Sequence, residues 1–215
     1  MRHRRILKTQ ISSTIFFIFV LLSVIFGKAP AYGESGVSHE YKIKAVYIYQ
    51  FINFIDGWDF QKEENKNNNE PIVIGIIGKN PFNDAFEPLK EKTVQDRKVI
   101  IKYFSGFSEL KNVDRENMSH PDTEKIKDCN VLFICASEKN YITDILSSIR
   151  NDTILTVADM QNFLEKGGII NFIIEKNKVL FNINTVAAKR AKLTIRAKLL
   201  RLAKKIIETD QVEKQ

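Results

Sequence analysis

The chain has 215 residues, 33 Lys+Arg against 26 Asp+Glu, and a formal charge of +7. Five of those basic residues, and no acidic one, lie in the first 31 positions, so the rest carries 28 basic against 26 acidic side chains. A nearly neutral folded part excludes the concentrated positive field of a nucleic-acid binder, and two cysteines with no histidine beside them make a poor zinc site.

The first segment has a basic stretch (Arg2, Arg4, Arg5, Lys8), an apolar run from Ile15 to Phe26 broken only by Ser23, and small residues in Ala29-Pro30-Ala31. That order belongs to a secretory signal. Its apolar core is shorter than the roughly 20 residues of a membrane span. An uncleaved anchor is the alternative, because Pro30 sits inside the cleavage site. The expected organisation is a signal over 1–31, a single domain over 32–207 and a polar tail over 208–215. The domain is large enough to build its own core.

After a loose Gly33 to Ser38, His39 to Ile55 reads as an amphipathic helix. Tyr41, Ala45, Ile48, Ile52 and Ile55 recur at helical spacing, and Tyr49, Phe51 and Phe54 widen the apolar face. Gln61 to Glu70 is a polar loop. Strands and helices then alternate. The strands are Ile72–Ile77, Lys98–Phe104, Val131–Cys135 and Thr153–Val157. Short helices are predicted over Pro81–Lys90, capped by Asn80, over Ser137–Ile149, and over Asp159–Lys166. Ser105 to Lys127 holds loops with room for one short helix.

Gly167-Gly168 leads into a hairpin of Ile169–Ile174 and Val179–Ile183, turned at Lys176-Asn177-Lys178. A final helix is predicted from Val186 to Ile207, striped by Ala188, Ala191, Ile195, Leu199, Leu202 and Ile206. The fold class is α/β: a mainly parallel sheet with helices on both faces and an antiparallel hairpin strand near one edge. Cys129 and Cys135 flank a strand of about 20 Å, against a Cα separation of at most about 7 Å in a disulfide. Two buried, reduced thiols are expected.

Four blocks carry a family resemblance over about residues 40 to 207. They are Glu40-Tyr41-Lys42-Ile43-Lys44-Ala45 through Trp58; Ile77-Gly78 with Pro81-Phe82; Cys129 to Ile134 with Ser137-Glu138; and Leu155 to Asp159 through Gly167-Gly168, Phe181 to Asn184 and Lys198 to Ala203. In their order and spacing the chain resembles the YfiR family of periplasmic proteins. The resemblance implies a periplasmic regulator, not an enzyme, with no cofactor. It implies binding to the periplasmic sensor region of an inner-membrane diguanylate cyclase, lowering cyclic di-GMP and biofilm. It further implies release through an outer-membrane sequestering partner. Arg196-Ala197 replaces the family's Ser-rich stretch, and two cysteines replace a larger set. A redox switch through an internal disulfide is therefore doubtful here.

No catalytic cluster stands out. His39 and His120 are expected at the surface or as caps, and Asp159 and Glu138 as helix caps. The expected partner surface is Ile169, Ile170, Phe172, Ile174, Leu180 and Phe181 on the hairpin, both of whose faces are mostly apolar. One face needs a cover: the final helix, a second copy of the chain, or a partner. The rival reading is a small-ligand protein whose site would be the Gly78, Asn80, Phe82 corner at a strand's carboxyl end.

Overall fold

The computed structural model describes residues 36–58, 70–110 and 120–208. The signal reading, nearly all of the polar loop from Gln61 and almost all of the tail lie outside the described residues. Those described belong to one compact unit, Ser35–Gln215.

The first helix, α1 (Gly36–Phe51), continues as a 3-10 turn (Ile52–Phe54) into the short strand β1 (Ile55–Asp56). The main sheet holds β2 (Ile72–Ile77), β3 (Thr93–Val94), β4 (Arg97–Phe104), β5 (Val131–Ile134), β6 (Leu155–Ala158), β7 (Ile170–Glu175) and β8 (Lys178–Asn184). Between them lie α2 (Thr123–Lys127) and α3 (Ile142–Ser148). After β8 come α4 (Thr185–Arg190), β9 (Thr194–Ile195), α5 (Ala197–Leu200) and β10 (Lys205–Ile207). The eight-stranded order is β10-β8-β7-β6-β5-β2-β4-β3. Neighbours from β4 to β7 are parallel, β7–β8 is an antiparallel hairpin, and β10 runs parallel to β8. The predicted α/β class holds, with the hairpin one strand in from the edge.

Period-two alternation sends Ile72, Ile74 and Ile76 of β2 into one core and Val73 and Ile77 into the other. The first core is covered by α1 and the segment from α4 to α5; the second is covered by α2 and α3. Continuous apolar runs such as Ile72–Ile77, buried throughout, exist because both faces of the sheet are covered. The hairpin turns in two residues, since Glu175 pairs with Lys178. Lys176 and Asn177 take positive φ of 48° and 60°, the backbone a tight hairpin needs.

Three helix predictions need correction. The final helix is broken: α4 ends at Arg190, Lys192 adopts φ 59°, and Leu193 N donates back to Ala188 O at 2.9 Å. The chain beyond it joins two sheets. Ile195 pairs with Ile55, and Ile206 pairs with Ile183. β-branched Thr194-Ile195 and Ile206-Ile207 suit those strands. Over Pro81–Lys90 the chain makes turns and a 3-10 segment (Glu87–Leu89), because Asn83 takes φ 48° and Pro88 interrupts the hydrogen-bond ladder. Residues 161–167 form turns, with Asn162 at φ 58°, in place of a helix from Asp159.

Candidate functional site

Geometry divides the expected hairpin surface. Phe172 and Phe181 are cross-strand partners, so they share a face. That face is roofed by α1: Phe51 lies 5.7 Å from Phe172 and 5.0 Å from Phe181, and Tyr47 lies 5.7 Å from Phe181. Ile169, Ile170, Phe172 and Phe181 are all buried in the chain's own core. The cover is the first helix, where the sequence pointed to the last. Ile174 remains 49 % exposed, and Leu180 and its cross-strand partner Ile173 are half-buried. Lys204 brings the segment after α5 to the same end of the hairpin, pairing with Glu175 and donating its backbone N–H to Phe181 O. Two residues earlier, Leu202 is 60 % exposed. On the hairpin the open apolar surface is therefore the distal tip; Ile100 and Tyr103 of β4 are exposed as well.

The corner after β2 is already filled. Gly78 has φ 96°, and a Cβ there would lie 2.5 Å from Ser137 Oγ and 2.8 Å from Glu138. Asn80 Oδ1 accepts from Phe82 N at 2.9 Å, a local turn. Phe82 is packed between Tyr41, Phe86 and Phe133 at centroid distances of 5.1, 4.9 and 4.8 Å. Glu138 is fully buried and accepts from Ser108 Oγ and Ser137 Oγ, each at 2.7 Å, and from Ser108 N. Its carboxylate occupies the space an anion would need. It staples the loop after β4 to its own segment after β5, where Ser137 Oγ accepts from Lys79 N of the turn after β2 at 3.0 Å, and it does not cap a helix.

A second buried carboxylate follows the neighbouring strand. Asn171 Oδ1 accepts from Met160 N at 3.1 Å and so fixes the chain just past β6. Asp159 is thereby aimed at α1. Tyr41 and Lys44, three apart on one helix face, both donate to Asp159 Oδ2, at 2.7 and 2.5 Å. Lys44 is 2 % exposed, also pairs with Glu40, and sits 4.2 Å from the Tyr41 ring centroid. Asp159 Oδ1 is buried and has no partner among the described residues. A bare buried acceptor costs about 1–3 kcal/mol. Burial first, then the Asp159 hydrogen bond and charge, raise the Tyr41 hydroxyl far above its ordinary pKa, so it stays a donor. The trio borders an open cleft of about 430 Å³, whose other walls include Met160, Gln161, Ile173 and Ile174.

Sequence reasoning missed this cluster. The available signal was Lys44 on the buried stripe between Tyr41 and Ile48, where a charge demands a partner. The remaining reactive groups are quiet. Cys129 and Cys135 are free and buried, and burial pushes both thiols up to about 12. His39 is exposed. His120 is buried, and its Nδ1 accepts from Asp122 N at 3.0 Å, so Nε2–H donates to Ser105 O at 2.7 Å. It caps a turn. Among the described residues no His/Cys/Asp/Glu group could hold a metal, and no helix is long and apolar enough to cross a membrane.

Fold and site together define an α/β protein with two cores, one on each face of a mainly parallel sheet, and a polar cluster of Tyr41, Lys44 and Asp159 beside a cleft. The profile of the family described as YfiR/HmsC-like matches residues 41–204, and the chain belongs to that family. No curated protein matches the chain. Among solved structures, a conserved domain protein from Vibrio cholerae O1 biovar El Tor superposes at a TM-score of 0.47 with 9 % identity, covering 77 % of this chain and 60 % of that one. An ABC domain in complex with L-Trp from Streptococcus pneumoniae gives 0.44 with 11 % identity, covering 63 % and 55 %. The chain thus spans little more than half of either.

Proposed function

We propose that this chain is an exported, periplasmic regulatory protein that works by stoichiometric binding. Its partner is the periplasmic sensor region of an inner-membrane diguanylate cyclase, which it holds inactive, lowering cyclic di-GMP; an outer-membrane protein would sequester it and release the cyclase. The observation that carries the reading is family membership across residues 41–204. The open hairpin tip supports it: Ile174 is 49 % exposed, and Ile173 and Leu180 are half-buried. A repressor of this kind shifts the sensor's population by its affinity difference between states. Both thiols are buried and protonated at neutral pH, which favours control by partner exchange over thiol chemistry.

The test is co-purification with the periplasmic region of a cognate cyclase, read alongside cyclic di-GMP in a deletion strain. Deletion should raise cyclic di-GMP and biofilm; an unchanged level with that cyclase present would sink the reading. Ile174→Glu probes the surface, because Phe172 on the same face is 2 % exposed and a charge there would be buried. Ile174→Glu is expected to lose the partner while the protein melts as before.

A further inference from the structure

We propose that the cleft between α1 and the β6–β7 corner binds a small primary amine with an aliphatic body, its ammonium donating to Asp159 Oδ1. The Asp159 side chain is 8 % exposed; two donors crowd one carboxylate oxygen, and the other has none among the described residues. A carboxylate is an acceptor only, so the missing group is a donor. Met160 N, the next backbone donor, is held by Asn171, and no described side chain donates to Oδ1.

Charge selects the kind of donor. Glu40 and Asp159 face Lys44 alone, leaving one net negative charge on the cleft wall. That favours a cation over a neutral or anionic ligand. The apolar wall is aliphatic where it is open, at Ile173 and Ile174, while Phe172 behind them is 2 % exposed. The cleft also lies beyond the carboxyl ends of β5 and β6, where parallel sheets commonly receive ligands. Oδ1 is closed off from solvent in the free chain, so binding requires a side-chain rotation at the cleft floor. The site needs no second protein, but it shares Ile173 and Ile174 with the proposed partner surface; amine binding is measured on the purified chain alone, so its outcome is independent of the partner test.

Calorimetric titration of the purified protein with hexylamine tests this, with hexanol and hexanoate as controls of equal length. Saturable binding of hexylamine is expected, about tenfold or more tighter than hexanol, with no binding of hexanoate. Asp159→Asn should weaken the amine by about tenfold or more. Because that change also strips Lys44 of an ionic partner, Ile173→Trp is the second variant: it fills the cleft from a half-buried wall and should abolish binding with circular dichroism unchanged. Absence of amine binding overturns the proposal, as does equal affinity for amine and alcohol, or binding that survives both variants.

Discussion

Glu138 and Asp159 follow neighbouring parallel strands, β5 and β6, and both are buried, yet they are used differently. Glu138 takes three donors from Ser108 and Ser137 and leaves no room around it: a Cβ on Gly106 would lie 2.0 Å from its Oε1. Asp159 takes two donors on one oxygen, leaves the other buried without a partner among the described residues, and borders a cleft. A buried carboxylate that is saturated and crowded is a staple. One that is half-satisfied beside open space is a place where something can be added.

The contrast can be broken by removing partners. The largest effect is expected for Lys44→Met, which leaves Asp159 buried with Tyr41 as its one donor among the described residues, at a cost of about 3 kcal/mol in urea unfolding. A loss below about 1 kcal/mol would mean that Asp159 is hydrated in solution. Glu138→Ala should cost about 2–3 kcal/mol, since it strands two hydroxyls and frees the loop after β4. Gly106→Ala sharpens that result. It should be damaging in the wild-type chain and much milder in the Glu138→Ala background, because the clash is with Glu138 itself.

Tyr41→Phe removes one donor from Asp159 and keeps the ring against Phe82, so about 1 kcal/mol is expected. The smallest effect concerns an exposed carboxylate. Arg196 hydrogen-bonds Asp56 at 2.5 Å and holds its carboxyl below the ordinary 3.8. A depressed folded pKa means the contribution is present above 3.8 and fades as pH falls through the lower folded value. Both partners are about half exposed, so at most about 1 kcal/mol is at stake, and Arg196→Ala should flatten that acid limb in a pH series of melts.

The strands were legible because their signal is local. Ile72–Ile77 matches its predicted bounds, and the hairpin strands match within one residue at either end. Helix lengths were less legible. The stripe from Ala188 to Leu199 is indeed buried, but 3–4 residue spacing is also met by a short helix, a turn and a strand that touch one core in succession. No glycine marks the break; Lys192 takes the left-handed backbone because tertiary pairing of Ile195 with Ile55 demands the turn. The site was read in outline only. An apolar hairpin was visible, but which helix roofs it was not, since α1 and the hairpin lie more than a hundred residues apart in sequence.

By itself, the sequence determined the α/β class, six of the ten strands among the described residues, the buried thiols and the family. Each of these depends on composition or short-range period, which the chain carries wherever it goes. Tertiary structure alone decided that α1 covers Phe172 and Phe181, that the last segment closes the sheet as β10, and that Lys44 and Tyr41 meet Asp159. Those contacts join distant segments, and no local pattern specifies which apolar face or which buried charge will find which partner.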